Sequence, residues 1–154
     1  MDLLAAIVAI LALVLNGLMS GLYFAFSTAV APALDAIDKD QAAVAMRSVN
    51  RKILNPRFLP TFTLSPVVAL AAGILLLLAG AGLPGVLAIA AAVAGFLGSI
   101  VVTAVVNVPL NNALDAGSVD WPGYSPRWTR WNSVRGWACA LAVALLGAAL
   151  HLWE

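Results

Sequence analysis

The residues best suited to chemistry lie in one short stretch, residues 127–135 (RWTRWNSVR), at the start of the last apolar run. Trp128, Asn132 and Arg135 are spaced i, i+4, i+7, so a helix would place them on one face. Trp131 lies four residues before Arg135 and could join that face. Flat aromatic area, an amide and a guanidinium together suit a planar oxygenated ligand, an anionic group or a lipid headgroup.

The composition indicates a membrane protein. Of the 154 residues, 63% are hydrophobic and only 10% are charged, which is far more apolar than a soluble domain of this size. The net charge of +1 gives no reason to expect a nucleic-acid partner. With one cysteine (Cys139) and one histidine (His151), the chain cannot build an internal disulfide, a thiolate metal site or a histidine cluster. We therefore expect no metal site built from cysteine or histidine ligands.

Four apolar runs are long enough to cross a bilayer, which takes roughly 20 residues. They cover residues 3–32, 58–80, 85–108 and 128–153. We therefore predict an all-α fold, a single integral membrane domain that forms a four-helix bundle. The turn between the second and third spans is short, so these two helices should be antiparallel neighbours. Residues 113–127 are predicted to be a loop in which Trp121 and Tyr124 act as interfacial anchors.

A polar segment, residues 33–59, separates the first two spans. Asp38 or Asp40 can cap a helix that runs to about Ile53. One side of this helix is apolar and another side is basic, which predicts an amphipathic interfacial helix between helices 1 and 2. Asn55 and the proline after it should end this helix.

Polar residues recur at helical spacing within the spans. The first span carries Asn16, Ser20 and Tyr23, and the third carries Ser99, Thr103 and Asn107, with Asn111 one turn further. Two interpretations stay open: these side chains join helices by hydrogen bonds, or they face a ligand. Gly17 and Gly21 form a GxxxG step that permits close helix approach. Pro109 should kink or end the third helix.

The basic residues predict the orientation in the membrane. All eight Lys and Arg residues lie within residues 33–59 or 127–135. The positive-inside rule puts both segments in the cytoplasm and both termini outside, in a plasma or inner membrane. Arg47, Lys52 and Arg127 would then contact lipid headgroups.

Arg135 is the exception among these cations. It lies two turns inside the fourth helix if that helix begins near Trp128, and no carboxylate is available at matching depth. Asn107, Asn111 or backbone carbonyls could accept its hydrogen bonds, but none would neutralise it. A bound anion or an enolate-like oxygen could do so.

A faint internal repeat supports the same location. Spans one and three end in similar sequences, VAPAL at residues 30–34 and VNVPL at residues 106–110. A basic segment containing asparagine and arginine follows each of them. Two copies in the same orientation would bring the polar motifs together at the cytoplasmic mouth of the bundle.

Four motifs in order, GLYFAFSTAVAPAL, MRSVNRKILNPRF, NVPLNNAL and RWTRWNSVR, resemble the DUF1772 family, which includes the anthrone oxygenases. The resemblance covers residues 17 to about 137. It implies oxidation of a polycyclic phenolic anthrone to an anthraquinone by O₂, with no known metal or flavin. The matching residues are Asn50, Asn55, Pro56, Asn107, Pro109, Asn111, Trp131, Asn132 and Arg135.

The preferred hypothesis is a cofactor-independent oxygenase in which a planar phenol stacks on Trp128 or Trp131. Its candidate catalytic residues are Arg135, Asn132 and Asn107. Its candidate substrate-binding residues are Trp128, Trp131, Asn111, Asn16, Tyr23, Asn50 and Asn55. The alternative is a non-catalytic membrane protein that binds lipid or quinone, or serves as a subunit of a membrane complex. Membrane lipids, a planar aromatic molecule and a second copy of the chain are the expected partners.

Overall fold

The computed structural model describes residues 2–153, and the termini Met1 and Glu154, predicted to lie outside the cell, fall beyond that range. The described chain is helical and contains no strand. Its α-helices are α1 (Asp2–Ala25), α2 (Ala31–Asp35), α3 (Lys39–Lys52), α4 (Phe58–Leu78), α5 (Gly82–Gly95), α6 (Val108–Asp115) and α7 (Trp121–His151). Its π-helical segments are π1 (Phe26–Val30), π2 (Phe96–Val101) and π3 (Thr103–Asn107).

Four continuous helices are long and apolar enough to cross a membrane: Leu3–Asp35, Phe58–Leu78, Gly82–Asp115 and Trp121–His151. They form a ring in which α1 packs on α4 and α7, while α5 packs on the same two helices from the opposite side. The predicted all-α four-helix bundle is therefore confirmed, and the protein is an integral membrane protein.

Small residues set the spacing of the bundle. One half of the core consists mainly of alanine, including the fully buried Ala9, Ala72 and Ala91. Between α4 and α5, a Cβ added at Gly73 would lie 3.0 Å from the carbonyl oxygen of Gly85. Such backbone proximity is how membrane helices gain packing contacts without large side chains.

A left-handed glycine makes the sharp reversal between α4 and α5. Gly80 has a φ of +83°, which costs glycine little. The N–H of Ala81 then donates to the carbonyl of Leu76, and the N–H of Gly80 donates to the carbonyl of Leu77. These bonds close the end of α4, and the expected antiparallel pairing of α4 with α5 is confirmed.

Prolines follow two of the three π-helical segments, one in the first span and one in the third. Pro32 follows π1 and Pro109 follows π3, each near the start of a new α-helical stretch. Proline donates no hydrogen bond and its ring clashes with the carbonyl four residues earlier. A wider turn before the proline relieves that clash, so the helix continues to Asp115 and does not end at Pro109. The two proline-containing repeats therefore share one local conformation.

Helix α3 matches its prediction closely. The Asp38 carboxylate caps it by accepting the N–H groups of Asp40 and Gln41. The Asn55 side chain accepts the N–H groups of Arg57 and Phe58, so this residue caps the start of α4. The apolar side of α3, through buried Ala42 and Met46, packs on a cluster formed by residues of α6 and α7. Helix α3 therefore covers one end of the bundle.

The loop predicted at residues 113–127 is shorter in the structure and covers only residues 116–120. Helix α6 runs to Asp115, and α7 begins at Trp121, where the Asp120 carboxylate accepts the N–H of Gly123 at 2.9 Å. Proline near a helix start is tolerated because the first N–H groups have no helical partner. Trp121 and Tyr124, expected as interfacial anchors, are only 3% and 1% exposed in the cluster beneath α3.

The GxxxG step of α1 is not used inside the bundle. A Cβ added at Gly17 or at Gly21 would meet no heavy atom within 4 Å. Both glycines lie on the outer side of α1, whereas Asn16 and Met19 face the core. Close helix approach within the bundle instead depends on Gly73, Gly85 and Gly98.

Replacing Gly98 by alanine should destabilise the bundle, since the new Cβ would collide with the Cβ of Ala138 on α7. Overpacking of this kind costs about 1–3 kcal/mol. The midpoint of thermal unfolding in detergent measures it. Gly147→Ala is the matched control because a Cβ there meets nothing within 4 Å. Equal midpoints for the two variants would contradict the close packing of π2 on α7.

Candidate functional site

A cavity of about 270 Å³ lies at the end of the bundle that α3 covers. Its walls come from α1, π1, α3, the α3–α4 connection, the start of α4, π3, α6 and α7. Its aromatic and aliphatic lining comprises Leu22, Tyr23, Phe26, Met46, Val49, Ile53, Leu54, Phe58, Val108 and Trp128. Its polar lining comprises Arg47, Asn50, Arg51, Thr103, Asn107, Asn111, Asn112, Asp115, Asn132 and Arg135.

Arg135 is the buried cation of this cavity, with 6% of its surface exposed. Its Nη1 donates to the Thr103 hydroxyl at 3.0 Å, and its Nη2 donates to Asn132 Oδ1 at 2.7 Å. The guanidinium lies 4.5 Å from the centroid of the Tyr23 ring and 5.4 Å from that of Trp128. Aromatic rings attract cations through their quadrupole. These contacts are polar or polarisable but neutral.

No carboxylate neutralises Arg135 within the described range. The ion pair found there joins Arg51 to Asp115 at 3.4 Å, and both of its side chains are largely exposed. A buried charge without a counter-ion is costly, and it favours any anion that can reach it. The cavity beside Arg135 therefore has an electrostatic preference for a negatively charged or strongly polar oxygen.

Asn132 holds Arg135 in place. Its Nδ2 donates to the Tyr23 carbonyl and to the Ser27 hydroxyl, both at 2.7 Å, while its Oδ1 accepts from Arg135. Both the Nδ2 and the Oδ1 atoms of this amide are therefore already hydrogen-bonded within the protein. The Tyr23 hydroxyl pairs with the Ser99 hydroxyl at 2.9 Å, which fixes the ring beneath the guanidinium. Asn132 and Tyr23 position the cation.

Four polar atoms of cavity residues are buried and have no hydrogen-bond partner. Three are donors: Asn50 Nδ2, Trp128 Nε1 and Arg135 Nε. The fourth, Asn107 Oδ1, is an acceptor. An unmade buried hydrogen bond costs about 1–3 kcal/mol, and native proteins keep few of them. Their concentration around one cavity favours a ligand that carries oxygen atoms, at least one of them as a hydroxyl.

Trp128 is enclosed by aromatic neighbours. Its ring centroid lies 5.8 Å from that of Phe26 and 6.3 Å from that of Tyr124. The Tyr124 hydroxyl donates to Asn111 Oδ1 at 2.8 Å, so Asn111 braces α6 against α7. A position over the Trp128 ring, where the sequence suggested a planar ligand, is taken by Arg135 itself.

Two contacts join α3 to α6 at the polar rim of the cavity. Arg47 Nε donates to the carbonyl of Leu114 at 2.9 Å, and Arg51 pairs with Asp115. Arg47 was expected to contact lipid headgroups, but it instead satisfies a carbonyl in the last turn of α6. Basic side chains are favourable at that end of a helix.

The structure brings most of the predicted site residues together. Tyr23, Asn50, Asn107, Asn111, Trp128, Asn132 and Arg135 all line the cavity. Among the described residues, no group of three or more His, Cys, Asp or Glu side chains is placed to hold a metal ion.

Three predicted residues lie elsewhere. Asn16 is buried among the helices, where its Nδ2 donates to the carbonyls of Ala12 and Ser65. Asn55 caps α4. Trp131 was expected to face inward, but it is 38% exposed. At about 100° per residue it lies about 60° from Trp128, beyond the edge of the inward face.

Thr103 and Asp35 were not predicted to contribute. Thr103 accepts from Arg135, and its place in the polar stripe between Ser99 and Asn107 was the signal that could have identified it. Asp35 accepts the Trp121 indole N–H and the Ser125 hydroxyl, each at 2.8 Å, and so ties α2 to α7. Its partners lie more than 80 residues away, and no local pattern joins them.

Asn132→Ala should destabilise the protein, because Arg135 Nη2, the Tyr23 carbonyl and the Ser27 hydroxyl would each lose a partner. Loss of buried hydrogen bonds of this kind costs about 1–3 kcal/mol. Thermal unfolding in detergent measures the effect. Asn112→Ala is the control, since Asn112 lines the cavity but is exposed. A midpoint that matches this control would contradict the positioning role of Asn132.

Comparison with known proteins agrees with the earlier resemblance. A family model described as anthrone oxygenase matches residues 56–145, which is more than half of the chain and includes α4 to α6 and most of α7. Searches of curated proteins and of solved structures found no significant match. The matched range contains Thr103, Asn107, Trp128 and Arg135, four residues that line the cavity. The chain belongs to the anthrone oxygenase family.

Proposed function

We propose that the protein is an oxygenase that oxidises a planar phenolic, anthrone-like substrate with O₂ and without a cofactor. The observation that carries this proposal is Arg135, a buried cation with no carboxylate partner and an unpaired Nε at a cavity. A volume of about 270 Å³ is near the lower end for ligand sites, roughly 300 Å³, and suits a compact fused-ring molecule.

The proposed reaction requires charge stabilisation above all. A proton leaves the methylene carbon opposite the substrate carbonyl, and the electron pair moves into the ring system and onto the carbonyl oxygen. That carbon then forms a bond with O₂, to which it transfers electrons, and the resulting peroxide anion takes up a proton to give a hydroperoxide. Loss of water removes the second hydrogen of the carbon together with the terminal hydroxyl of the hydroperoxide and leaves the quinone carbonyl. One substrate and one O₂ thus give one quinone and one water.

The cavity residues would act on the enolate oxygen. Arg135 Nε and Trp128 Nε1 are unpaired donors that would bind it, and the positive charge of Arg135 would stabilise the developing negative charge. Asn107 Oδ1 would accept a hydroxyl of the substrate, and Asn50 Nδ2 would bind a further oxygen. Phe26 and Phe58 would contact the ring faces. Asn132 would act through Arg135.

Arg135→Ala should lower turnover of an anthrone by about 10²–10³-fold, as expected for loss of a charge-stabilising donor. Arg135→Lys should retain part of the activity, since it keeps a charge but loses the planar guanidinium. Quinone absorbance and O₂ uptake by purified protein in proteoliposomes provide the measurement. Arg130→Ala, on an exposed side chain of the same helix, is the control.

Undiminished turnover by a folded Arg135→Ala variant would contradict the assignment. The cofactor-independent reaction also predicts that turnover survives treatment with a chelator followed by removal of small molecules. Activity that is lost on this treatment and restored by a metal ion or a flavin would contradict that part of the proposal.

We also propose that the cavity end of the bundle faces the cytoplasm, because all eight Lys and Arg residues lie in its two basic segments. A cysteine at Gly82, the first residue of α5, should react with a membrane-impermeant maleimide in intact cells. A cysteine at Ala116, between α6 and α7, should react only after lysis. Both positions are exposed, whereas native Cys139 is buried. The opposite labelling pattern would contradict this orientation.

A second candidate function is quinone binding without chemistry. Unpaired donors in an aromatic cavity would also bind quinone carbonyls. Native mass spectrometry of detergent-extracted protein separates the two functions. A co-purified quinone with no turnover of anthrones favours the binder, and turnover favours the oxygenase.

A further inference from the structure

Helices α4 and α6 do not pack closely on each other at the level of the cavity. Helix α4 packs along α1 and α5, whereas α6, the continuation of α5, packs on α3 and α7. Beyond π2 the third span therefore loses α4 as a principal neighbour. The start of α4 at Phe58 and helix α6 both line the cavity, but they are not principal packing partners, and the α3–α4 connection forms the cavity wall next to Phe58.

The residues on this side are apolar and face both the cavity and the exterior. Leu54 lines the cavity and is 65% exposed, and Val108 lines it and is 42% exposed. Phe58 and Ile53 also line the cavity and are half-buried. Phe58 and Val108 belong to helices that are apolar enough to cross the membrane. The four cavity-lining side chains on this side are all uncharged.

The other side of the cavity is bridged by polar contacts. Arg47 donates to the Leu114 carbonyl, and Arg51 pairs with Asp115, so α3 is fastened to α6 at two successive turns. A molecule that enters from water would have to pass these contacts. A molecule dissolved in the membrane would meet only Leu54, Phe58 and Val108.

We infer that the ligand of this cavity enters sideways from the bilayer, through the opening between the start of α4 and α6. Its class is an uncharged, membrane-dissolved planar phenol, which becomes charged only after it reaches Arg135. From the proposed function this inference takes only the planar phenolic ligand, and it requires no turnover. Membrane entry also fits a buried guanidinium, since a ligand dissolved in the bilayer has little hydration to lose before it reaches the polar groups of the cavity.

The test measures the rate at which 1,8-dihydroxyanthraquinone binds to the full chain in proteoliposomes, by stopped-flow fluorescence. Val108→Trp should lower the association and dissociation rates together, by about tenfold or more, and change Kd by much less than either rate, because it obstructs the path more than the part of the cavity beside Arg135. Leu54→Trp, in the connection before α4, should do the same and gives a second variant if the first folds poorly. Val105→Trp is the control, since Val105 is 63% exposed and does not line the cavity.

Entry from water predicts the opposite pattern. Arg51→Ala would then speed binding, while Val108→Trp would leave the binding rate unchanged. A sulfonated anthraquinone would also bind as fast as the lipophilic probe. Each of these results would overturn the inference. Absence of saturable binding to the unmodified protein would overturn it as well. If the protein turned over an anthrone but Val108→Trp left the rates of probe binding unchanged, only this inference would be overturned. If the probe bound with the expected rates but no anthrone was turned over, only the proposed function would be overturned.

Discussion

The architecture of the site depends on burying one guanidinium without a carboxylate. Arg135 remains charged, so its neighbours must supply oxygen atoms or aromatic faces from three helices. Thr103 comes from the third span, Tyr23 from the first, and Asn132 from the fourth helix itself. Neutral contacts keep the cation in place but leave its charge available. A carboxylate in the same position would have stabilised the fold and removed the reason for an anion to bind.

The wide helical turns make this arrangement possible. Pro32 and Pro109 would clash with the preceding turn of a regular α-helix, and π1 and π3 absorb that clash. The wider turns change which side chains face inward just where the cavity lies. Ser27 of π1 and Thr103 of π3 both end up within hydrogen-bond distance of the Asn132–Arg135 pair. The repeated proline motif thus serves the site as well as the fold.

Much of this could be predicted because it follows from local patterns. The apolar runs predicted the four long helices, the Asp38 cap predicted α3, and the spacing of Trp128, Asn132 and Arg135 predicted a shared inward face. Features that depend on distant partners could not be predicted. The buried positions of Trp121 and Tyr124 require α3 to fold over them, and Asp35 must meet Trp121 across the bundle. The prediction that Trp131 faces inward was wrong for another reason, because residue spacing alone does not show where the inward face of a helix ends.

The central claim is that Arg135 stabilises the ionised form of a planar phenol in the cavity. The most direct measurement is a spectrophotometric pH titration of 1,8-dihydroxyanthraquinone bound to the protein, with empty vesicles as the reference, because ionisation changes the colour of the probe. A nearby unpaired cation should lower the apparent pKa of the bound hydroxyl by about one unit or more. A bound probe whose pKa is unchanged or raised would contradict the account.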